Sequence, residues 1–325
     1  LWPGDILHTY GLAAMVAFLF RRLKPGWLLA IGLLMAVMQL GGGGYSLYDA
    51  SHQRAAMAAV GAKQAAGQPL TAADRKIVKD DAERRAKRDK RHTTNEARIA
   101  AEDKARTGTF LTWAKSAWDA NLGIQGKGLE LLFIWEAAGT MLIGAALYKW
   151  GVLQGLRSRG FHWGLMLAAY AVGLGSRALG ALDDMRFDDA PSIIWPLGEV
   201  ARVATTLGHV ALVQLLLGSI RGARLLRPFE AAGRTALSLY VLQTLICLWV
   251  LYPPQALALY GKQGWAALML TALAINAGLL LLANWWVRHY RIAPVEWAWR
   301  SIVERRRLPF RKRAAVVPSG EPLPA

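Results

Sequence analysis

The chain has 325 residues, of which 54% are hydrophobic, and it carries a formal net charge of +17. Such a charge is typical of nucleic-acid-binding domains, but here the Lys and Arg residues flank apolar stretches that are too long for a soluble basic domain. The composition therefore argues against nucleic acid as a partner and for the lipid bilayer. The one cysteine, Cys247, lies inside an apolar stretch, so no internal disulfide is expected.

Seven apolar stretches predict membrane-spanning helices. A helix of ~20 apolar residues crosses the ~30 Å hydrocarbon layer with its backbone hydrogen bonds made internally. The predicted spans lie near residues 5–20, 26–48, 128–148, 161–180, 193–219, 234–252 and 263–288. We therefore predict an all-α fold, a polytopic transmembrane helix bundle of about seven spans. Because the chain starts with Leu1 almost inside the first span and shows no signal-peptide features, we expect further spans upstream.

The positive charges of the short loops predict the orientation, because Lys and Arg collect in short cytoplasmic connections. They follow the odd-numbered spans, as in Arg21, Arg22, Lys24, Lys149, Arg157, Arg159, Arg221, Arg224 and Arg227, and they continue in the tail after the last span. The short exits of the fourth and sixth spans carry mainly acidic residues or a single lysine, and the long segment after the second span is exempt because the bias is weak in loops of more than ~60 residues. This pattern predicts a bacterial inner-membrane protein with a cytoplasmic C-terminus.

The same pattern divides the chain into four segments: two spans in 1–50, a polar extracytoplasmic segment in 51–125, a five-span bundle in 126–290 and a basic cytoplasmic tail in 291–325. The polar segment has helix-forming composition from Thr71 or Asp74, either of which can cap a helix, up to Gly108. After it, apolar residues recur at helical spacing near 109–122. That part is either an amphipathic helix in the membrane interface or a helix packed on the neighbouring spans.

A run of four glycines, residues 41–44, comes at the predicted end of the second span. It has no phosphate-loop pattern and no following Lys-Ser/Thr pair. The run is either a flexible end of the span or a site where another helix packs closely.

Ionisable residues inside the spans are candidates for a functional site, because an unpaired charge in the bilayer costs several kcal/mol. Given the predicted orientation, the candidates in the outer half of the membrane are Asp5, His8, Glu136, Arg177, Glu199 and Arg202, and Glu130 lies in the third span as well. We predict that the last four of the first group form one connected network and bind substrate. The alternative is that they pair only to hold the bundle together. No metal-ligand cluster and no nucleotide-binding motif occurs in the sequence.

Asp5 and His8 are three residues apart, which places them on one face of a helix about one turn from each other. A carboxylate beside an imidazole orients the ring, as catalytic acid–base pairs require. We predict His8 as a general base and Asp5 as the residue that orients it. The alternative is that both residues only hydrogen-bond the first span to its neighbours.

Three strings carry a resemblance to a known family. They are Trp-Pro-Gly-Asp-Ile-Leu-His-Thr-Tyr-Gly-Leu at 2–12, Leu-Arg-Pro-Phe-Glu-Ala-Ala-Gly-Arg-Thr-Ala-Leu-Ser-Leu-Tyr-Val-Leu-Gln-Thr at 226–244, and Ala-Pro-Val-Glu-Trp-Ala-Trp-Arg-Ser at 293–301. They resemble the YeiB-like bacterial inner-membrane proteins, the family of the domain of unknown function 418. Family members usually have additional spans before the first string.

The resemblance implies no settled reaction, but the family is similar at the level of fold to polytopic acyltransferases, including the heparan-glucosaminide acetyltransferase type. The leading hypothesis is an acyltransferase-like enzyme that uses acyl-coenzyme A as a cytoplasmic donor, without a tightly bound cofactor. Its acceptor would be a small molecule or an envelope glycan outside. The alternatives are a small-molecule transporter and a non-catalytic membrane assembly protein. The sequence leaves the oligomeric state open.

Overall fold

The computed structural model describes residues 6–126, 129–186 and 192–312. These residues are helical almost throughout. The helices are α1 (Ile6–Leu19), α2 (Pro25–Ala65), α3 (Ala72–Thr107), α4 (Phe110–Gly126), α5 (Leu129–Lys149), α6 (Arg159–Asp184), α7 (Ile194–Leu217), α8 (Ile220–Arg234), α9 (Ala236–Leu245), a π-helical turn (Ile246–Leu251), α10 (Trp265–His289) and α11 (Pro294–Val303). The predicted all-α fold class is confirmed.

Five of these helices, α2, α5, α6, α7 and α10, are long and apolar enough to cross a membrane. A sixth span results if α8 and α9 with its π-helical turn are counted as one broken span, whose two parts meet at 73°. The described part of the first predicted span, α1, is apolar but has only 14 residues. The second predicted span is longer than expected, because α2 continues to Ala65.

One of two compact units contains the described residues of Pro3–Ala105 and Lys115–Gly222. Here α5 packs on α1 and α2, and α7 packs on α2 and α6. Leu28, Leu142 and Ala146 form a buried contact between α2 and α5. Apolar residues that are exposed in this unit suit a bundle whose outer surface faces lipid rather than water.

Small residues allow these helices to approach closely, as is common in membrane bundles. A Cβ atom at Gly32 of α2 would lie 2.7 Å from the carbonyl oxygen of Gly139 in α5. One at Gly43 would lie 2.7 Å from Cα of Pro196 in α7. The glycine run at 41–44 is therefore in the interior of α2, and Gly43 is a close-packing site. The alternative of a flexible span end is wrong.

The polar segment after residue 50 contains the last 15 of the 41 residues of α2 and the whole of α3, which runs back beside it. Thr71 Oγ1 accepts a hydrogen bond from the Asp74 backbone N–H at 3.1 Å, and Asp74 Oδ2 accepts one from the Thr71 N–H at 3.0 Å. This reciprocal pair is a capping box, and it confirms the predicted start of the helix. Lys63 and Asp74 join the two helices near the loop at 2.9 Å, and Asp49 and Arg84 join them further away at 3.1 Å.

The other compact unit contains Arg106–Ala114 and the described residues of Ala223–Ala325. Within it, Trp113 at the start of α4 is buried and packs edge to face against Trp249 of the π-helical turn, with 4.8 Å between ring centroids. The beginning of α4 is thus packed on protein. Leu111 in the same turn, and Trp118 and Leu122 further along α4, are exposed, as an interfacial helix requires.

The sharp bend between α8 and α9 is held by Glu296 of α11. Its carboxylate accepts hydrogen bonds from the backbone N–H groups of Leu237 at 2.8 Å and Ser238 at 3.2 Å, and from the Ser238 hydroxyl. Ser238 Oγ in turn accepts one from the Val295 N–H at 3.0 Å. A carboxylate at the start of a helix satisfies N–H groups that have no partner within the helix, and it complements the helix dipole.

Candidate functional site

The candidate site is centred on Arg202 of α7, whose guanidinium group contacts two carboxylates. Arg202 Nη2 donates to Glu199 Oε2 at 2.8 Å, and Arg202 Nε lies 3.3 Å from Oε1 of Glu136 in α5. Arg202 Nη2 also donates to Thr140 Oγ1 at 3.1 Å. Glu199 and Arg202 are three residues apart on one helix face, and Glu136 and Thr140 are four apart on another, so two helical stripes meet here.

The members of this network differ in their access to solvent or ligand. The Glu199 side chain is only 10% exposed, whereas those of Arg202 and Glu136 are 34% and 35% exposed. Glu199 therefore sits behind the arginine and holds it. Arg202 and Glu136 present the polar surface on which a ligand can bind.

That surface opens into a cavity of about 520 Å³ between α1, α4, α5 and α7. Its polar lining comes from Thr9, Glu136, Thr140 and Arg202, and its apolar lining from residues such as Ile6, Tyr10, Ile124, Phe133 and Met141. An apolar pocket with a few convergent polar groups is the usual form of a small-molecule site.

His8 precedes Thr9, which lines this cavity, but His8 is not itself among the lining residues. Its Nδ1 atom is 2.6 Å from Oε1 of Glu130 in α5, and Thr9 Oγ1 donates to the same carboxylate oxygen at 3.4 Å. The His8 side chain is 51% exposed. A carboxylate does orient this imidazole, but among the described residues the carboxylate is that of Glu130. Asp5, the predicted orienting residue, lies outside the described residues.

The predicted network of four charged residues is only partly correct. Glu136, Glu199 and Arg202 are connected, but Arg177 is exposed on α6 and makes no ion pair or side-chain hydrogen bond within the part of the chain that the structure describes. A common predicted depth was therefore not sufficient to bring Arg177 into contact with the other three. The role of Arg177 in substrate binding stays a prediction, and no described contact links this residue to the cavity.

The sequence reasoning missed Glu130, Thr9 and Thr140 as members of the site. Glu130 was recognised as an intramembrane carboxylate, but nothing in its spacing points to a partner 122 residues away in α1. Thr140 carried a usable signal, because it follows Glu136 by four residues on the same helix face. No group of three or more metal-ligating side chains occurs in the described ranges.

The fold and the cavity define a class, namely a polytopic helical membrane protein with a polar site inside its helix bundle. Residues 147–306 match the family described as "Protein of unknown function (DUF418)". The chain is 27% identical to the "Uncharacterized protein YxaH" of Bacillus subtilis (strain 168), over 97% of this chain and 70% of that protein. It is 29% identical to the "Uncharacterized protein YeiB" of Escherichia coli (strain K12), over 55% of this chain and 48% of that protein.

The resemblance to the YeiB-like DUF418 family that the sequence motifs predicted is confirmed: residues 147–306 match the family model, and YxaH and YeiB are similar to the chain. It spans about half the length of YeiB and 70% of YxaH. No solved structure gives a significant match. Two of the strings that carried the resemblance are in contact, because Glu296 of one binds Ser238 of the other.

Proposed function

We propose that the protein is a membrane enzyme that transfers an acyl group from a thioester donor, acyl-coenzyme A, to an extracytoplasmic acceptor. The observation that supports this most directly is the His8–Glu130 pair, whose carboxylate also accepts a hydrogen bond from Thr9 in the cavity lining. An imidazole fixed by a carboxylate beside a space for substrate is the arrangement that general base catalysis needs.

In this proposal Nδ1 of His8 is held by Glu130, and Nε2 takes the proton from an acceptor hydroxyl or amine. The acceptor oxygen or nitrogen then forms a bond to the acyl carbon while the carbon–sulfur bond of the thioester breaks. The proton passes from His8 to the departing thiolate, so the ring returns to its starting state. Asp5 keeps the orienting role that its spacing from His8 predicts.

Arg202 and Glu136 are assigned to substrate binding, because both are partly accessible in the wall of the same cavity. A guanidinium group and a carboxylate side by side suit an acceptor that has hydroxyl or amine groups, such as a small polar molecule or an envelope glycan. Glu199 is assigned a positioning role, since it is buried and holds Arg202. The proposed location is the bacterial inner membrane, with the C-terminus in the cytoplasm.

The test compares His8→Gln and Glu130→Gln with His52→Gln, which changes an exposed histidine of α2 far from the cavity in sequence. Acyl transfer from labelled acyl-coenzyme A to membrane extracts is measured and normalised to folded protein. The proposal expects a fall of at least ~100-fold for His8→Gln and a smaller fall for Glu130→Gln, because the imidazole remains. Unaltered normalised turnover in His8→Gln would refute the catalytic assignment.

A second candidate function is small-molecule transport, which the accessible Arg202–Glu136 pair inside a helix bundle favours. Counterflow of a substrate in proteoliposomes that is lost in Arg202→Gln, without any acyl transfer, would support transport. Absence of both activities in folded protein would leave the third hypothesis, a membrane assembly role.

A further inference from the structure

A second polar pocket, of about 490 Å³, lies between α8 and the end of α10. Four arginines contribute to its lining, together with one carboxylate and one amide. These residues are Arg224, Arg227, Arg234, Arg288, Glu230 and Asn284. All of them belong to the same compact unit, and none is part of the cavity at Arg202.

The arginines share one face of α8 because of their spacing. Arg224 and Arg227 are three residues apart, and Arg234 follows after seven more, or two helical turns. Asn284 of α10 donates hydrogen bonds to the carbonyl oxygens of Pro228 at 3.0 Å and Leu280 at 2.8 Å. This amide fixes α8 against α10, and it holds the arginine face over the end of α10, where Arg288 lies.

Within the part of the chain that the structure describes, the charges of this pocket are not balanced. The four guanidinium groups form no ion pair or side-chain hydrogen bond with any residue in the described ranges, and Glu230 is the one carboxylate of the lining. The charge of Arg202, in contrast, is balanced, since its guanidinium group contacts two carboxylates. Like charges that converge without a counter-charge repel one another, and a bound anion relieves the repulsion. Guanidinium groups match the oxygens of phosphate in bidentate geometry.

The apolar residues of α8 indicate where the pocket lies. Leu225 and Phe229 are 64% and 57% exposed, and neither of them lines the pocket. A helix with exposed apolar residues on one side and arginines on the other, bent by 73° from the following span, is typical of the membrane–water interface. Phosphate groups of lipids occur at this depth.

We propose that this arginine pocket binds a phosphate group of a ligand at the membrane surface. The inference does not rest on acyl transfer, because either a phospholipid head group or a soluble phosphate ligand such as coenzyme A presents the same chemistry. The competing explanation is that the arginines serve only to orient the chain in the membrane. That explanation requires charge on the cytoplasmic side but no particular pocket.

The experiment measures binding of two probes to the purified, detergent-solubilised chain by titration calorimetry: a short-chain phosphatidylglycerol and coenzyme A. The variants are Arg227→Gln and Arg288→Gln. Arg221→Gln is the matched control, because it removes the same charge from the same helix outside the pocket. We expect saturable binding of at least one probe, weakened at least ~10-fold in both pocket variants and less than ~2-fold in the control.

The probes separate the two sources. Binding of phosphatidylglycerol alone identifies a lipid head group, binding of coenzyme A alone identifies a soluble phosphate ligand, and mutual competition shows that both use the phosphate site. Arg227→Lys tests the pocket without loss of charge: weakened binding with an unchanged melting temperature supports bidentate recognition. Absence of saturable binding, or equal weakening by Arg221→Gln, would overturn the proposal.

Discussion

Arg202 and Arg177 show how two arginines at similar predicted depth take different roles. Arg202 is surrounded by acceptors, with Glu199 on its own helix and Glu136 and Thr140 on α5. Arg177 is exposed and has no such neighbours among the described residues. The face of α7 that carries Arg202 packs next to Glu136 and Thr140 of α5. Similar depth in the membrane does not by itself give an arginine such partners.

Replacing Arg202 by Met should destabilise the protein more than replacing Arg221 by Met. The first change leaves Glu199 buried without its partner, and an ionised carboxylate in that position costs far more than an exposed one. Arg221 is exposed and makes no ion pair within the described residues. Thermal unfolding in detergent measures the difference, and equal melting temperatures for the two variants would show that the network contributes nothing to stability.

At the scale of single elements, the four consecutive glycines at 41–44 of α2 are not equivalent. A Cβ atom at Gly43 would lie 2.6 Å from Cε3 of Trp195 and 2.7 Å from Cα of Pro196, whereas one at Gly44 would meet no atom within 4 Å. Both positions are helical, so the same substitution has the same local effect on helix propensity. Only the contact with α7 distinguishes them.

We therefore expect Gly43→Val to lower stability by about 1–3 kcal/mol, the usual cost of overpacking a close contact. Gly44→Val is the matched control and should change stability by less than about 0.5 kcal/mol. Thermal unfolding of the two variants in the same detergent checks this. Similar losses at both positions would mean that the run acts through the backbone and that contact with α7 is unimportant.

The hairpin of α2 and α3 depends on the protonation state of Asp74. Hydrogen bonds from the Lys63 ammonium group and from Thr71 lower the pKa of this buried carboxyl from 3.8 to about 2. A lowered pKa means that the folded hairpin favours the ionised form. Its stabilisation is complete above about pH 4 and is lost as the pH falls towards 2, because protonation then removes the ion pair.

We predict that the end of the hairpin separates between about pH 4 and pH 2, and that Asp74→Asn removes this pH dependence. Spin labels at Ala59 and Lys79, in a Cys247→Ser background, report the distance between α2 and α3. Asp80→Asn, which changes an exposed carboxylate of the same helix, should retain the transition. A distance that is independent of pH in the unsubstituted hairpin would contradict the role of Asp74.

At the scale of the whole molecule, contacts within the unit of Pro3–Ala105 and Lys115–Gly222 agree with the prediction that loops after odd-numbered spans lie on one side. Lys149 Nζ, at the end of α5, donates to the carbonyl oxygens of Arg21 and Leu23 after α1, both at 2.7 Å. Gln214 Nε2, near the end of α7, donates to the Leu153 carbonyl after α5 at 2.7 Å. The exits of the first, third and fifth predicted spans therefore share one face, the face on which the basic loops lie.

We predict that this face is cytoplasmic, because short basic loops stay inside. In a Cys247→Ser background, a cysteine at Ser51 should react with an impermeant thiol reagent in intact cells. A cysteine at Ala223, which follows the fifth predicted span, should react only after lysis. Both positions are exposed in the structure, so access to solvent does not bias the comparison. The reverse labelling pattern would invert the orientation.

The division into four segments and the catalytic and binding roles stay predictions, whereas the fold class and the family resemblance follow from the sequence. Apolar length determined the spans because each bilayer helix must satisfy its own backbone hydrogen bonds. The capping box at Thr71 and Asp74 could also be found from the sequence, since all its members lie within four residues.

Only the tertiary structure decided which distant side chains meet. The pairing of His8 with Glu130, the separation of Arg177 from Arg202, and the closure of the arginine pocket by Arg288 each depend on the rotation and crossing of separate helices. Apolar periodicity carries little information about rotation in a bundle whose outer surface is as apolar as its interior. Close packing at small residues such as Gly43, together with a few interhelical hydrogen bonds, sets that rotation instead.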